Sequence, residues 1–305
     1  MKRIVAAVGL GLLLAGAGTV FAFRAPANRS VSHYDKRWAD HPRTPELSPA
    51  RQAAADHLRD LVPGAVFNLD RIKHAPNFVS DPAGFLTGPQ GRGKGISERV
   101  GQELPPGDPH SAIKGFLKEH AALFGHGPEV LNSARLQRDY KTPHNGLQTT
   151  IWQQQVDDID VFEAVLMGHV TPQGELVNIS SAFIGDPEKA ADAGFPNRKA
   201  KQQKPLISAK DALSLASRSI DEELAPEGFS ELDPTPTGAE KRQRFHAPGK
   251  FNESRVQLVW LPLNDSQMRL CWLVRLVSQS AGEAFHILID ADSGELMIRR
   301  PIRFT

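Results

Sequence analysis

The hydrophobic pattern changes its period once within residues 111–184. Over residues 111–125, apolar side chains recur at spacings of three and four, which places them on one face of a helix. We expect Asp108 to cap this helix, Pro109 to occupy its first position and Gly125 to end it. The period then becomes two, and β-branched and aromatic residues predict four strands, over residues 135–140, 147–156, 160–170 and 175–184. Turn signals separate the strands, so the pattern predicts a helix across an antiparallel meander.

The same order of elements recurs in the second half of the chain. Ser208 is placed to cap a helix that ends near Ile220, and four strands are predicted over residues 255–263, 269–278, 284–291 and 296–300. In both halves a glycine hairpin, at Gly174 and at Gly294, precedes the last strand. The predicted fold class is therefore α+β, with two helix-on-antiparallel-meander units over residues 108–186 and 205–303.

The remaining segments are assigned by composition. Residues 187–204 are charged and bounded by Pro and Gly, which is typical of a linker. Residues 23–107 contain one clear helix, Pro49 to Leu61 with Ser48 as its cap, within an otherwise extended N-terminal segment.

Four features of the first unit resemble the fungalysin/thermolysin propeptide motif. They are the sequence FLKEHAALFG, the run Gln153-Gln154-Gln155, the pair Val161-Phe162, and the Gly174 hairpin. The sequence departs from the family at Asp157–Asp160, where the family has a glycine in the turn. In the second unit, Trp272 and the DADSGE turn resemble a PepSY-type domain. The resemblance implies a cystatin/PepSY-like fold for both units.

Residues 1–22 have the pattern of a signal peptide. Lys2 and Arg3 precede an apolar run that ends in Val20-Phe21-Ala22, and we expect cleavage after Ala22. The alternative is an uncleaved membrane anchor, for which the run is short and rich in glycine. We therefore expect a secreted or periplasmic protein with no stable membrane anchor after cleavage. The net charge of +1 does not indicate a nucleic-acid partner.

The sequence contains no recognisable catalytic set. None of the eleven histidines is followed by glutamate, so the zinc-binding H-E-x-x-H motif is absent, and G-x-S-x-G is absent too. Phe116 occupies the position that the inverted motif would need as histidine. Cys271 is the only cysteine and lies in a predicted strand, which favours a buried structural role. We expect no catalytic residue, no metal and no cofactor in this chain.

Three further patterns have structural interpretations. Residues 88–94 fit the start of a phosphate-binding loop, but Gly95 stands where Ser or Thr is required, so we expect a flexible basic loop. The turn Asp290–Glu295 has glycine at the fifth position, where calcium needs an oxygen donor, and indicates a hairpin. His120 and His126 flank the end of the first helix, where we expect exposed side chains that interact favourably with the helix dipole.

Two segments are candidates for contact with a partner. Alternation places Gln153 and Gln155 on one face of their strand, and Trp152 and Gln154 on the other. A solvated face and a partner-binding patch both agree with that pattern. In the C-terminal tail, basic residues alternate with apolar ones, which suits an extended peptide in a protease cleft. The candidate partner-binding residues are Trp152, Gln153, Gln154, Gln155, Arg299, Arg300 and Arg303.

The resemblance implies a non-catalytic prodomain of a secreted fungalysin-type zinc metalloprotease. Such a prodomain assists folding of the catalytic domain and keeps it inactive, in cis or in trans. On that interpretation the chain after Pro301 is where the catalytic domain would be joined. The alternative is a stand-alone exported binding module or protease inhibitor.

Overall fold

The computed structural model describes residues 31–40, 44–233, 235–280 and 282–302, so the predicted signal peptide lies outside the described residues. From Val31 onward the chain is one compact unit. The described α-helices are α1 (Arg37–Asp40), α2 (Pro49–Leu61), α3 (Glu98–Glu103), α4 (Ser111–Glu119), α5 (Ala121–Phe124), α6 (Pro187–Gly194), α7 (Arg198–Gln203) and α8 (Ala209–Ser219). The described strands are β1 (Tyr34–Asp35), β2 (Val66–Leu69), β3 (Pro76–Ser80), β4 (Arg135–Lys141), β5 (Gln148–Val156), β6 (Ile159–Val170), β7 (Leu176–Ser181), β8 (Ser230–Glu231), β9 (Gln243–Ala247), β10 (Phe251–Pro262), β11 (Met268–Val277), β12 (Ala284–Asp290) and β13 (Leu296–Ile302). The chain is therefore mixed α+β, as predicted.

These strands form one sheet, whose main path runs β1-β13-β12-β11-β10-β6-β7-β3-β2. The pairs β4–β5 and β8–β9 branch from it at β6 and β10. All neighbours are antiparallel except β6 and β10, which meet in parallel at Val161 and Trp260. The Trp260 side chain is fully buried, and its indole N–H donates to the Val156 carbonyl over 3.3 Å. A single short contact thus joins two antiparallel meanders into one sheet.

The first meander consists of β4 to β7. The apolar stripe of α4 is buried, with Ile113, Phe116 and Leu117 at 0% exposure. The helix begins later than the sequence predicts, because the Asp108 carboxylate accepts from the His110 backbone N–H at 2.9 Å and forms a turn before the helix. The assignment of Asp108 as N-cap is therefore wrong. Gly125 ends α5 in the left-handed conformation, with φ of 79°, as predicted.

The second meander consists of β10 to β13, with α8 packed against it. Ser208 and Asp211 form a complete capping box at the start of α8. Ala212, Ala216 and Ile220 are buried on the predicted face of this helix. The turn after Asp290 is a hairpin with Gly294 at φ of 75°, which agrees with the prediction made from the sequence.

The segment predicted as a linker is folded. Residues 187–203 contain α6 and α7, and α6 packs against β11. Ala191 and Phe195 are buried, and the Phe195 ring lies edge-on to Trp260 at a centroid distance of 5.9 Å. The linker prediction is wrong. The segment is highly charged overall, and its composition did not reveal that the apolar residues at positions 191 and 195, one helical turn apart, are buried against the sheet.

The loop over residues 88–94 is packed against the rest of the chain. The Gln90 N–H donates to the Gln173 carbonyl over 2.8 Å, at the tip of the β6–β7 hairpin. A Cβ atom at Gly91 would lie 2.6 Å from the Ala112 Cα atom, so the loop directly touches α4. The prediction of a flexible loop is therefore wrong. In the same N-terminal segment, β2 and β3 extend the sheet beyond β7.

His120 and His126 are buried, at 2% and 4% exposure, and the prediction that they are exposed is wrong. His120 Nε2 lies 2.7 Å from the Gly95 carbonyl oxygen, and His126 Nε2 lies 2.9 Å from Ser181 Oγ. Burial lowers the pKa of each imidazole from 6.5 to about 4. Both rings are therefore neutral at pH 7.

The neutral histidines make the fold sensitive to acid. Between pH 6.5 and pH 4 the unfolded chain binds protons that the folded chain does not, so stability falls as the pH falls through this window. The slope is about 1.4 kcal/mol per pH unit for each histidine. Between pH 7 and pH 5, these two histidines should contribute a loss of about 4 kcal/mol to urea unfolding, and His120→Gln and His126→Gln should each remove about half of that contribution. His144→Gln, on the exposed hairpin tip, is the matched control. An unchanged pH slope in both buried-site variants would contradict this account.

Candidate partner-binding surface

The glutamine strand β5 is built around an irregularity that it shares with β6. Gln153 pairs with Val165, whereas Gln155 pairs with Asp160, so Gln154 alone stands opposite residues 161–164. The ladder between the two strands is interrupted over this interval, and the carbonyl groups of β6 need other partners there. Val161, inside the interval, is the residue that meets β10.

The Gln153 side chain supplies those partners. Its amide Nε2 donates to the Val161 carbonyl over 2.7 Å, and to the Ala164 carbonyl over 3.1 Å. Gln153 is buried, at 6% exposure, so these bonds form away from water. The side chain therefore holds the bulged part of β6 in place.

Gln154 performs a second bridging role on the opposite side of β5. The side chain has 0% exposure, and its amide forms two bonds to the backbone of Ile184. Nε2 donates to the Ile184 carbonyl over 2.7 Å, and Oε1 accepts from the Ile184 N–H over 2.8 Å. Both side-chain groups are satisfied within the chain, which fixes the segment that follows β7.

Trp152 and Gln155 complete this strand. Trp152 is buried, and its ring meets the His110 ring edge-on at 5.0 Å. Gln155 is partly exposed and donates to the Asp160 carboxylate over 2.8 Å. Of the two interpretations of the glutamine run, a solvated face and a partner-binding patch, the solvated face is wrong for Gln153 and Gln154, which are buried and bond within the chain. Alternation placed the two side chains on opposite faces of β5, but it could not show that both faces are covered by the rest of the chain.

The C-terminal tail is an integral strand. β13 lies between β12 and the short β1, where Tyr34 pairs with Arg299. The Arg299 guanidinium donates to the backbone carbonyls of Ser219 and Ser32, and the Arg300 guanidinium pairs with Glu163. Both arginines therefore bind within the chain, and Arg303 lies outside the described residues. Truncation after Leu296 would remove the buried Met297 and Ile298 and disturb the core.

β4 is the most exposed strand of the first meander. All seven of its residues are exposed, and Leu136 and Tyr140 are each 48% exposed. Within the described part of the chain β4 pairs with β5 alone, so its outer backbone edge is open. The sequence predicts this strand but does not indicate it as a candidate contact surface, because the strand has no buried face and thus no apolar stripe. The one available signal was the presence of two large apolar side chains among charged neighbours.

Possible catalytic groups are enclosed or lack partners. Ser181 faces His126, but both are buried, and neither lines a cavity described in this structure. Cys271 has 0% exposure, and burial raises the pKa of its thiol, which disfavours the reactive thiolate. Among residues 31–40, 44–233, 235–280 and 282–302 there is no cluster of three His, Cys, Asp or Glu that could hold a metal ion. Within the same ranges, no helix is long and apolar enough to cross a membrane.

The buried glutamines should matter more for stability than their half-exposed neighbour. Gln154→Ala leaves the N–H and carbonyl of Ile184 without partners, and Gln153→Ala leaves the carbonyls of Val161 and Ala164 without theirs. We expect each substitution to reduce the free energy of unfolding by about 2–4 kcal/mol, because buried polar groups that lose their partners are costly. Gln155→Ala should cost less than about 1 kcal/mol. Urea unfolding of the three variants measures this order, and equal effects would contradict it.

Comparison with known proteins identifies one segment of the chain. The C-terminal domain of YpeB from Bacillus megaterium is structurally similar over 85% of this chain and 99% of its own, at 12% sequence identity and a TM-score of 0.28. No curated protein sequence matches this chain. Residues 132–183, which span β4 to β7, match the profile of the Fungalysin/Thermolysin Propeptide Motif. The first meander of this chain therefore carries a fungalysin/thermolysin propeptide motif.

Proposed function

We propose that this chain is the non-catalytic prodomain of a secreted fungalysin-type zinc metalloprotease, which assists folding of the catalytic domain and inhibits it. The observation that carries the proposal is the match of residues 132–183 to the propeptide motif. The matched residues coincide with the complete meander β4–β7, so the motif corresponds to a folded unit.

The proposal also divides the chain into two structural units. Residues 108–186 form the propeptide-motif unit, and residues 205–303 form a second, PepSY-like unit with its own helix α8. Its support is the recurrence of one order of elements, a helix followed by an antiparallel meander, in each half of the described chain.

A prodomain of this kind acts on a kinetic barrier. Secreted proteases are often protected by slow unfolding, and a domain that binds the partly folded catalytic unit lowers the barrier to folding. The same contacts inhibit the folded enzyme when they cover its cleft. If the two are joined in one precursor, the tether raises the effective concentration of the prodomain, so even modest contacts are sufficient.

The partner-facing surface is proposed to be the edge of β4. Its backbone groups are free to pair with an extended segment, and Leu136 and Tyr140 offer apolar contacts beside it. The strand carries three basic residues, Arg135, Arg138 and Lys141, and one acidic residue, Asp139. Arg135 is paired with Asp160, so Arg138 and Lys141 are the charges that suit an acidic segment of the catalytic domain. Trp152 to Gln155 support this edge from inside the fold. Arg303 is proposed as a second contact, since the chain after β13 would lead to the catalytic domain in a precursor.

The proposal is tested by inhibition in trans. The purified chain should inhibit the metalloprotease encoded with it, and should not hydrolyse casein by itself. Leu136→Lys and Tyr140→Lys should each weaken inhibition about tenfold or more, because a charge replaces an apolar contact at the centre of the interface. Both side chains are already half exposed, so the variants should remain folded.

Leu206→Lys is the matched control, since Leu206 is 70% exposed and lies far along the chain from β4. It should inhibit like the unmodified chain. Full inhibition by both β4 variants would exclude the β4 edge as the contact surface. Absence of inhibition by the unmodified chain would contradict the prodomain assignment and favour the stand-alone binding module.

A further inference from the structure

Lys73 is a buried cation whose ammonium is bonded to backbone carbonyls. It follows β2 in a turn that the Asp70 carboxylate stabilises by accepting from the Lys73 backbone N–H at 2.7 Å. Its side chain is 6% exposed, and its ammonium donates to two backbone carbonyls, Ser181 at 3.3 Å and Phe183 at 3.4 Å. Among the residues that the structure describes, no carboxylate lies within ion-pair distance of it. Both bonds are longer than charge-assisted hydrogen bonds ordinarily are.

Lys73 lines a cavity of about 300 Å³ together with Arg51. The Arg51 guanidinium is held in place by the backbone carbonyls of Lys73 and His74, at 2.8 and 3.2 Å. Two cations therefore line the same space. Phe124 and Phe183, both buried, line the cavity as well and lower the local dielectric.

The cavity lining also contains two carboxylates. Asp186 is exposed and is the N-cap of α6, where its carboxylate accepts from the Lys189 backbone N–H over 3.1 Å. The Asp265 side chain is half exposed, with its carboxylate 3.4 Å from Arg51 Nη2. The two carboxylates are thus more exposed to solvent than the two cations.

Two glycines set the shape of the cavity. A Cβ atom at Gly125 would lie 2.7 Å from Arg51 Nη2, and one at Gly185 would lie 2.2 Å from the Gly125 carbonyl oxygen. The two backbone segments therefore touch directly, and side chains at these positions would occupy the space beside Arg51. The cavity is a defined feature of the packing.

A purely structural role explains Lys73 poorly. Burial lowers the pKa of its ammonium from 10.5 to about 8, so the group is still charged at pH 7 but at a cost to the folded state. The attraction of the Asp70 and Asp265 carboxylates offsets part of that cost, Arg51 adds repulsion, and the effect of burial exceeds each of them. A methionine of similar length would fill the same space without a charge.

We propose that this cavity binds a small zwitterionic ligand, a free amino acid, with its carboxylate on Lys73 and Arg51 and its ammonium toward Asp186 and Asp265. The two charges of an amino acid are only a few ångströms apart, and the one cavity presents two cations together with two more exposed carboxylates. The volume of about 300 Å³ is sufficient for a small amino acid. Phosphate is a poorer fit, because the carboxylates at the mouth repel a doubly charged anion.

The test uses glycine and L-alanine as probes and follows the thermal unfolding temperature of the full chain. Each probe, at concentrations up to about 100 mM, should raise this temperature, since a ligand that binds only the folded state stabilises it. Acetate and methylamine each carry half of the required charge pattern and should have smaller effects, and phosphate should have less effect than glycine. In a lysine-selective NMR titration, glycine should raise the pKa of Lys73.

Lys73→Met should abolish the glycine effect and should itself raise the unfolding temperature, because it removes an uncompensated buried charge. Lys250→Met, at an exposed turn, is the matched control and should keep the full glycine effect. A lower unfolding temperature for Lys73→Met, together with an unchanged response to glycine, would show that Lys73 is a structural anchor and would overturn the proposal. Absence of any response to glycine and L-alanine in the unmodified chain would overturn it as well.

Discussion

The bulge in β6 is the constraint on which the sheet depends. Residues 161–164 leave the ladder to β5, and in doing so Val161 reaches Trp260 of β10. Without this excursion β6 would pair with β5 along its whole length, and its start would not be placed for β10. Gln153 stabilises the bulge, because its amide donates to the carbonyls of Val161 and Ala164, which the ladder to β5 leaves without partners. One buried side chain thus supports the junction of two meanders.

This arrangement gives a physical reason for the polar run of the propeptide motif. Glutamine has both a donor and an acceptor at the end of a flexible stem, so it can substitute for a missing backbone neighbour. Gln153 does so for β6, and Gln154 does so for Ile184. Gln153 and Gln154 are therefore internal, whereas the neighbouring strand β4 is exposed along its whole length. The buried glutamines stabilise the fold, and the exposed edge of β4 is the surface that we propose for contact with a partner.

Much of the fold could be predicted from local patterns. Alternation placed the strands of both meanders close to their observed limits, and Ser48 and Ser208 act as the predicted caps. Predictions failed where tertiary contacts override composition. Phe195 anchors a charged segment on the sheet, and His126 is buried against Ser181. Nothing in the local sequence reveals either contact.

The candidate sites likewise depend on tertiary contacts that local sequence patterns do not reveal. The bulge over residues 161–164 of β6 creates the carbonyl groups that Gln153 binds, and a strand pattern with period two cannot anticipate inserted residues. Lys73 gave no signal at all, because one lysine in a polar turn is ordinarily solvated and its burial arises from residues more than a hundred positions later. The parallel contact between β6 and β10 likewise could not be predicted from local patterns, because it joins strands that are distant in sequence.

Hydrogen exchange in the complex with the catalytic domain tests the central claim most directly. The amides of β4 that face away from β5 have no partner within the described chain and should exchange quickly in the free protein. Pairing with an extended segment of the catalytic domain should slow exchange over residues 135–141 by tenfold or more, on the order of 1.4 kcal/mol of protection. Exchange in β4 that is as fast in the complex as in the free chain, with protection confined to other surfaces, would contradict the account.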